Sequence, residues 1–156
     1  MNSILIIGAG AAGSVVAKKC AMNRDVFQKI HLASRTLEKC RKVQQECTSD
    51  ISISQVDADD TGQVVRLIKE QKPHVVVNMA LPYQDLTIMD ACLATGVHYL
   101  DTANYEPKDE AKFSYTWQWA YQDRFREKGI MAVLGCGFDP GVISIYCSHA
   151  QRNLLD

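Results

Sequence analysis

Three glycines, Gly8, Gly10 and Gly13, follow the apolar run Ile4-Leu5-Ile6-Ile7 in the spacing G-x-G-x-x-G. That spacing suits phosphate binding by backbone. Gly8 permits a tight turn, Gly10 lets a pyrophosphate approach, and Gly13 lets the next helix lie close on the strand. The amides of Ala11, Ala12 and Gly13 and the positive end of that helix then face the phosphates. A further group, Ser34-Arg35-Thr36, stands about 20 residues on, where an NAD-binding fold carries an acid for the ribose 2′-hydroxyl. A guanidinium in that place pairs with a 2′-phosphate, and Ser34 adds a hydrogen bond, so the expected cofactor is NADP(H). The plainer alternative leaves Arg35 against the adenine or in solvent.

Four more segments carry usable chemistry. Asp57 is placed either to accept from the adenine amino group or, with its neighbours to Asp60, to cap a helix. Asn78, Ala80 and Pro82 are expected to line the pyrophosphate and nicotinamide ribose, although Pro82 also suits a plain turn. Asp101 and Tyr105 are the candidate catalytic residues, a carboxylate and a phenol able to orient an amine or move a proton. The duller reading has Asp101 accepting N–H bonds within a turn. Gly137 and Pro140 belong to a second glycine-rich turn, expected to approach the cofactor or the next helix closely.

Strands and helices must position these groups. Helix patterns are expected at about Ala11 to Met22 (Ala12, Val15, Val16 and Cys20 inward), Leu37 to Glu46, Gly62 to Gln71 and Tyr83 to Thr95. A long one is expected from Ala111 to Lys128, with Trp117 in the core. Thr36 stands as N-cap of the second, although Lys39 occupies the place of a capping-box Glu. Strand patterns fall at Ile4–Ile7, Ile30–Ala33, Ile51–Val56, Val75–Val77, Val97–Leu100 and Ile130–Leu134. Strand and helix alternate six times, the rhythm of an α/β, Rossmann-like, doubly wound parallel sheet of order 3-2-1-4-5-6. Ligands of such sheets sit at the carboxyl ends of the strands, where all the segments above fall.

Composition narrows the partners. The 156 residues suit one domain, and 47% hydrophobic with 22% charged residues is ordinary for a globular protein. A net charge of −1 offers no basic field for nucleic acid or anionic membrane. No apolar run approaches the ~20 residues of a membrane span. Six cysteines form no C-x-x-C pair, and Cys40 and Cys47 share a helical face with Leu37 and Val43. Reduced thiols and a cytoplasmic address are therefore expected. Histidines 31, 74, 98 and 149 are scattered, so no metal is expected.

Several segments together resemble the saccharopine dehydrogenase family. They are Ile6 to Gly13, Ala33-Ser34-Arg35-Thr36, Val77-Asn78, Tyr99 to Glu106 and Gly135-Cys136-Gly137-Phe138-Asp139-Pro140-Gly141-Val142. Tyr105-Glu106-Pro107 and Trp117-Gln118-Trp119-Ala120-Tyr121-Gln122 are most similar to its carboxynorspermidine synthase branch. The resemblance implies an NADPH-dependent reductive condensation of aspartate semialdehyde with diaminopropane or putrescine, in a homodimer. It also implies a chain about twice this long or more. Residues 1–141 are then the NADP(H)-binding domain, and residues 142–156 begin the connection to a substrate and dimerisation domain. On that expectation the chain alone binds cofactor without turnover, and the helix after Gly141 packs Val142, Ile145 and Tyr146 on the sheet. The alternatives are saccharopine dehydrogenase or reductase activity in lysine metabolism, a non-catalytic NADP-binding module, and an interaction protein.

Overall fold

In the computed structural model, which describes residues 2–155, β1 (Ser3–Ile7) is buried along its whole length at the centre of a six-stranded sheet. The other strands are β2 (Lys29–Ser34), β3 (Ser52–Gln55), β4 (Val75–Asn78), β5 (His98–Asp101) and β6 (Ala132–Val133). All pairings are parallel, in the order β3-β2-β1-β4-β5-β6. This is the doubly wound order expected from the alternation. Ile7 pairs with both Ala33 and Asn78, and Asn78 with Asp101. That register brings four strand ends to one level, with the chain reversing direction of build between β1 and β4.

Side-chain alternation along β1 gives the sheet two cores. Leu5 and Ile7 point to the face covered by α3 (Thr61–Gln71) and α4 (Asp85–Thr95), where Val64, Ile68, Met89 and Cys92 meet them. Ile4 and Ile6 point to the face covered by α1 (Ala11–Met22) and α2 (Leu37–Glu46), against Ala17, Cys20, Cys40 and Val43. Apolar residues on both faces explain why the central strands read as continuous apolar runs. Asp60 caps α3 by accepting from the Gln63 amide at 3.0 Å. Gly96 ends α4 in the left-handed conformation, φ 70°.

Three elements differ from the sequence expectation. On α1 the buried line is Gly13, Ala17, Cys20 and Ala21, whereas Ala12 and Val15 face solvent. Gly13 sets that line: a Cβ there would strike the Gly8 carbonyl, so the helix presents its smallest side chains to β1. The long helix is instead two short ones, α5 (Thr116–Trp119) and α6 (Gln122–Glu127), with residues 111–115 outside any helix. Gln118 is drawn into a buried polar cluster, and the chain tightens behind it through a Tyr121 amide to Gln118 carbonyl bond of 3.1 Å. Trp117 consequently stacks edge-on with Tyr105 at 5.5 Å and is only half-buried.

The third difference is α7 (Val142–Asn153), which buries no residue. Val142, Ile145 and Tyr146 are exposed, because β6 is two residues long and the sheet offers no surface beyond it. Trp119 and Met131, also exposed, line a depression of about 470 Å³ beside β6. No helix among the described residues is long and apolar enough to cross a membrane.

Candidate functional site: a cavity at the glycine turn

The three glycines of the first turn have different causes. Gly8 has φ 113°, and a Cβ there would strike the Met79 carbonyl of the strand-four end. Gly13 is fixed by its approach to Gly8. Gly10 has an ordinary φ of −77°, and a Cβ on it would meet nothing within 4 Å. Protein packing therefore does not require glycine at position 10, and the space in front of it is open.

That space faces the start of α1. Gly10 is the N-cap and makes no side-chain bond, and the first turn carries no acidic residue. The first helical bond is Ser14 N–H to the Gly10 carbonyl, 2.9 Å. The amides of Ala11, Ala12 and Gly13 precede it and have no partner within the helix. Together with the helix dipole they suit a pyrophosphate.

A cavity of about 250 Å³ opens there, between the ends of β1, β2 and β4. Of the residues expected at the cofactor, it is lined by Gly8, Gly10, Ser34, Arg35, Thr36 and Ala80. Val56, Ala58 and Leu81 supply apolar walls suited to a flat ring. Ala11 lies in an adjoining groove with Ser14 and Lys39. Arg35 is largely exposed and stands 3.9 Å from the Asp59 carboxylate. Thr36 is the N-cap of α2, but its side chain makes no capping bond.

Other expected residues lie around this cavity and not on it. Asp57 accepts from the Asp59 amide at 3.1 Å; its neighbours Val56 and Ala58 face the cavity in its place. Pro82 opens a short 3-10 turn, Pro82–Gln84, that leads into α4. Asn78 is buried behind the wall, where its Oδ1 accepts from the Ala80 amide at 2.9 Å and so fixes that lining residue. Gly137 and Pro140 are held together by an amide–carbonyl bond of 3.1 Å, and a Cβ on Gly137 would meet the Thr102 carbonyl. The second glycine turn thus packs against the end of β5.

Asp101 and Tyr105 belong to a buried polar cluster under the ends of β4 and β5. Asp101 is 1% exposed; its Oδ1 accepts from the Gly135 amide at 2.7 Å and its Oδ2 from Gln118 Nε2 at 2.6 Å. It therefore ties β5 to the turn after β6, the turn-holding alternative raised by the sequence. Burial raises its carboxyl pKa to about 6, against the pull of those hydrogen bonds. Asp85, at the start of α4, accepts from Asn78 Nδ2 at 2.7 Å, and burial followed by the Asp101 charge raises it to about 8. Asn78 Nδ2 also donates to the Tyr99 hydroxyl at 3.1 Å. Gln118 Oε1 accepts from the Tyr105 amide at 2.9 Å, so the same side chain anchors the loop carrying Tyr105. Tyr105 itself is half-buried. The Tyr115 hydroxyl is buried beside Gly135 without a hydrogen-bond partner among the described residues.

Sequence reasoning missed Lys39, Gln84, Asp85 and Gln118, whereas Met79 and Leu81 fall inside the Asn78-to-Pro82 segment expected to line the site. Lys39 carried a signal, a cation where a capping acid belongs. Asp85 carried one too, a carboxylate just before the apolar face of α4. Gln118, between two tryptophans, gave no signal of burial.

A parallel sheet with this switch point, glycine turn and cationic strand-two end is a dinucleotide-binding domain of the dehydrogenase class. The chain belongs to the family described as the saccharopine dehydrogenase NADP binding domain, which matches residues 4–133. It binds NADP(H) in that capacity. Among curated proteins it is 50% identical to a carboxyaminopropylagmatine dehydrogenase of Synechocystis, over all of this chain and 39% of that protein. It is 40% identical to a carboxynorspermidine synthase of Vibrio alginolyticus, over 99% of this chain and 40% of that one. The chain thus spans about two fifths of the length of these relatives. Yeast saccharopine dehydrogenase (L-glutamate forming) shares the fold, with a TM-score of 0.77 at 17% identity over 94% of this chain and 30% of that one. Thermus thermophilus UDP-glucose 4-epimerase does so with a TM-score of 0.62 at 15% identity, over 85% and 53%.

Proposed function

We propose that this chain is the NADPH-binding domain of an oxidoreductase that makes a carboxyaminopropyl-substituted polyamine by reductive condensation. An aldehyde, aspartate semialdehyde, and the primary amine of agmatine or a diamine lose water to form an imine. The cofactor supplies the hydride, and the imine with one proton becomes a secondary amine. The observation that supports the cofactor half of this reading is Gly10, a glycine that no protein contact requires, at the open mouth of the cavity. The substrate half rests on the names of relatives 40–50% identical over the whole chain.

In this reading the amides of Ala11, Ala12 and Gly13 hold the pyrophosphate. Ser34, Arg35 and Thr36 take the 2′-phosphate, and Val56, Ala58 and Leu81 flank the adenine. Asn78 acts through Ala80, whose amide it fixes beside the cavity. Asp101 is a positioning residue, tying together the turn after β6 and, through Gln118, the loop that presents Tyr105. Tyr105 is the phenol available to move a proton at the imine. Pro82, Gly137 and Pro140 shape the turns at the nicotinamide end, and Asp57 shapes the adenine end.

The relatives' greater length leaves room for a second domain beginning after Gly141, which reads the amine and makes the homodimer. Free cysteines at all six positions suit a reducing cytoplasm.

The test is NADPH oxidation by the full-length protein with aspartate semialdehyde plus agmatine, putrescine or diaminopropane. Oxidation that requires both aldehyde and amine is expected. Oxidation with a lysine-derived substrate and none with these amines would favour the saccharopine reading.

A further inference from the structure

Lys39 stands on the first turn of α2, the end of a helix that disfavours a cation. It forms no ion pair among the described residues, and it lines the same cavity as Ser34, Arg35 and Thr36. The one acidic residue of that turn, Glu38, is engaged by Arg41 and makes no ion pair with Lys39. The local sequence gains nothing from this lysine. A Glu there would complete a capping box with Thr36, whose side chain is instead without a capping bond. Arg35, by contrast, already stands opposite Asp59, which Lys108 also approaches at 3.6 Å. Arg35 must share its charge with that acid; Lys39 does not.

Resting on the NADP(H) reading above, we infer that Lys39 is a specificity-determining residue, the second cation that selects the 2′-phosphate over the 2′-hydroxyl. Arg35 approaches the phosphate from the strand-two end and Lys39 from the first turn of α2. A dianion placed between them relieves the unfavourable position of the ammonium at the helix start. The ammonium acts as a point charge, so arginine at position 39 should retain most of its effect.

The discriminating experiment titrates NADPH and NADH against wild type, Lys39→Gln and Lys39→Arg, at low and moderate salt. Lys39→Gln should weaken NADPH about tenfold, leave NADH within twofold, and flatten the salt dependence of NADPH binding. Lys39→Arg should restore most of the loss. Equal weakening of both cofactors would overturn the inference, placing Lys39 on the shared pyrophosphate through the groove it lines with Gly10 and Ala11. An unchanged NADPH affinity would overturn it too. Wild type that fails to bind NADPH would overturn the cofactor reading itself, a different outcome from either.

Discussion

Asp85 and Asp101, on α4 and β5, face one amide: Gln118 Nε2 lies 2.6 Å from Asp101 Oδ2 and 3.5 Å from Asp85 Oδ2. Two carboxylates so close and so buried resist full ionisation. Their folded pKa values, about 8 for Asp85 and about 6 for Asp101, lie above the ordinary 3.8, so between the unfolded and folded values the folded state holds more protons than the unfolded one. Stability from this pair is greatest below the unfolded value and falls as pH rises through the folded values. Urea midpoints should therefore drop between pH 5 and pH 9. Asp85→Asn keeps an acceptor for Asn78 and removes one titration, so its profile should be flatter. A wild-type midpoint that climbs over this range would contradict the account.

Gln118→Leu removes the donor to Asp101 and the acceptor for the Tyr105 amide, stranding a buried carboxylate and a half-buried amide. A loss of about 2–4 kcal/mol in denaturant unfolding is expected from the stranded groups. Hydrogen exchange should speed at Tyr105 and Gly135 while the amides of β1 keep their order of protection. Loss below ~0.5 kcal/mol would mean that the cluster is not what joins α5 to the strand ends.

The glycines should separate folding from binding. Gly10→Val puts a side chain into the space in front of α1, where its Cβ meets no protein atom within 4 Å, so NADPH binding should vanish while the melting temperature moves by a few degrees at most. Gly13→Val drives a side chain into the Gly8 carbonyl and should unfold or strongly destabilise the domain. Retained NADPH binding in folded Gly10→Val would place the dinucleotide elsewhere.

Arg35→Ala should weaken NADPH by about 1.5–3 kcal/mol, tenfold or more, and leave NADH nearly unaffected. Because its pairing with Asp59 is exposed and long at 3.9 Å, its loss should scarcely change stability. Affinity and unfolding measured on the same variant separate the two roles.

Much of this was legible in sequence because local rules and global fold agree. The buried run of β1 and the span of α2 follow from patterning, and the strand order from the β-α rhythm together with the glycine turn after β1. The failures share a cause, tertiary contacts that periodicity does not encode. The inward line of α1 was set by one glycine's contact with Gly8, not by where its largest apolar residues lay. The helix expected from Ala111 was broken where Gln118 turned inward to two carboxylates distant in sequence. Asp101 read as a turn-holder first and as a group able to orient an amine or move a proton second; its partners Gly135 and Gln118, 34 and 17 residues away, carry no local signal.

The central claim is that the cavity at the glycine turn is an NADP(H) site selected by its cations. Its most direct test is equilibrium titration of the wild-type 156-residue chain with NADPH and with NADH under identical salt. The account predicts saturable NADPH binding at least tenfold tighter than NADH, lost in Gly10→Val. Equal affinity for the two cofactors, or no binding of either, would contradict it.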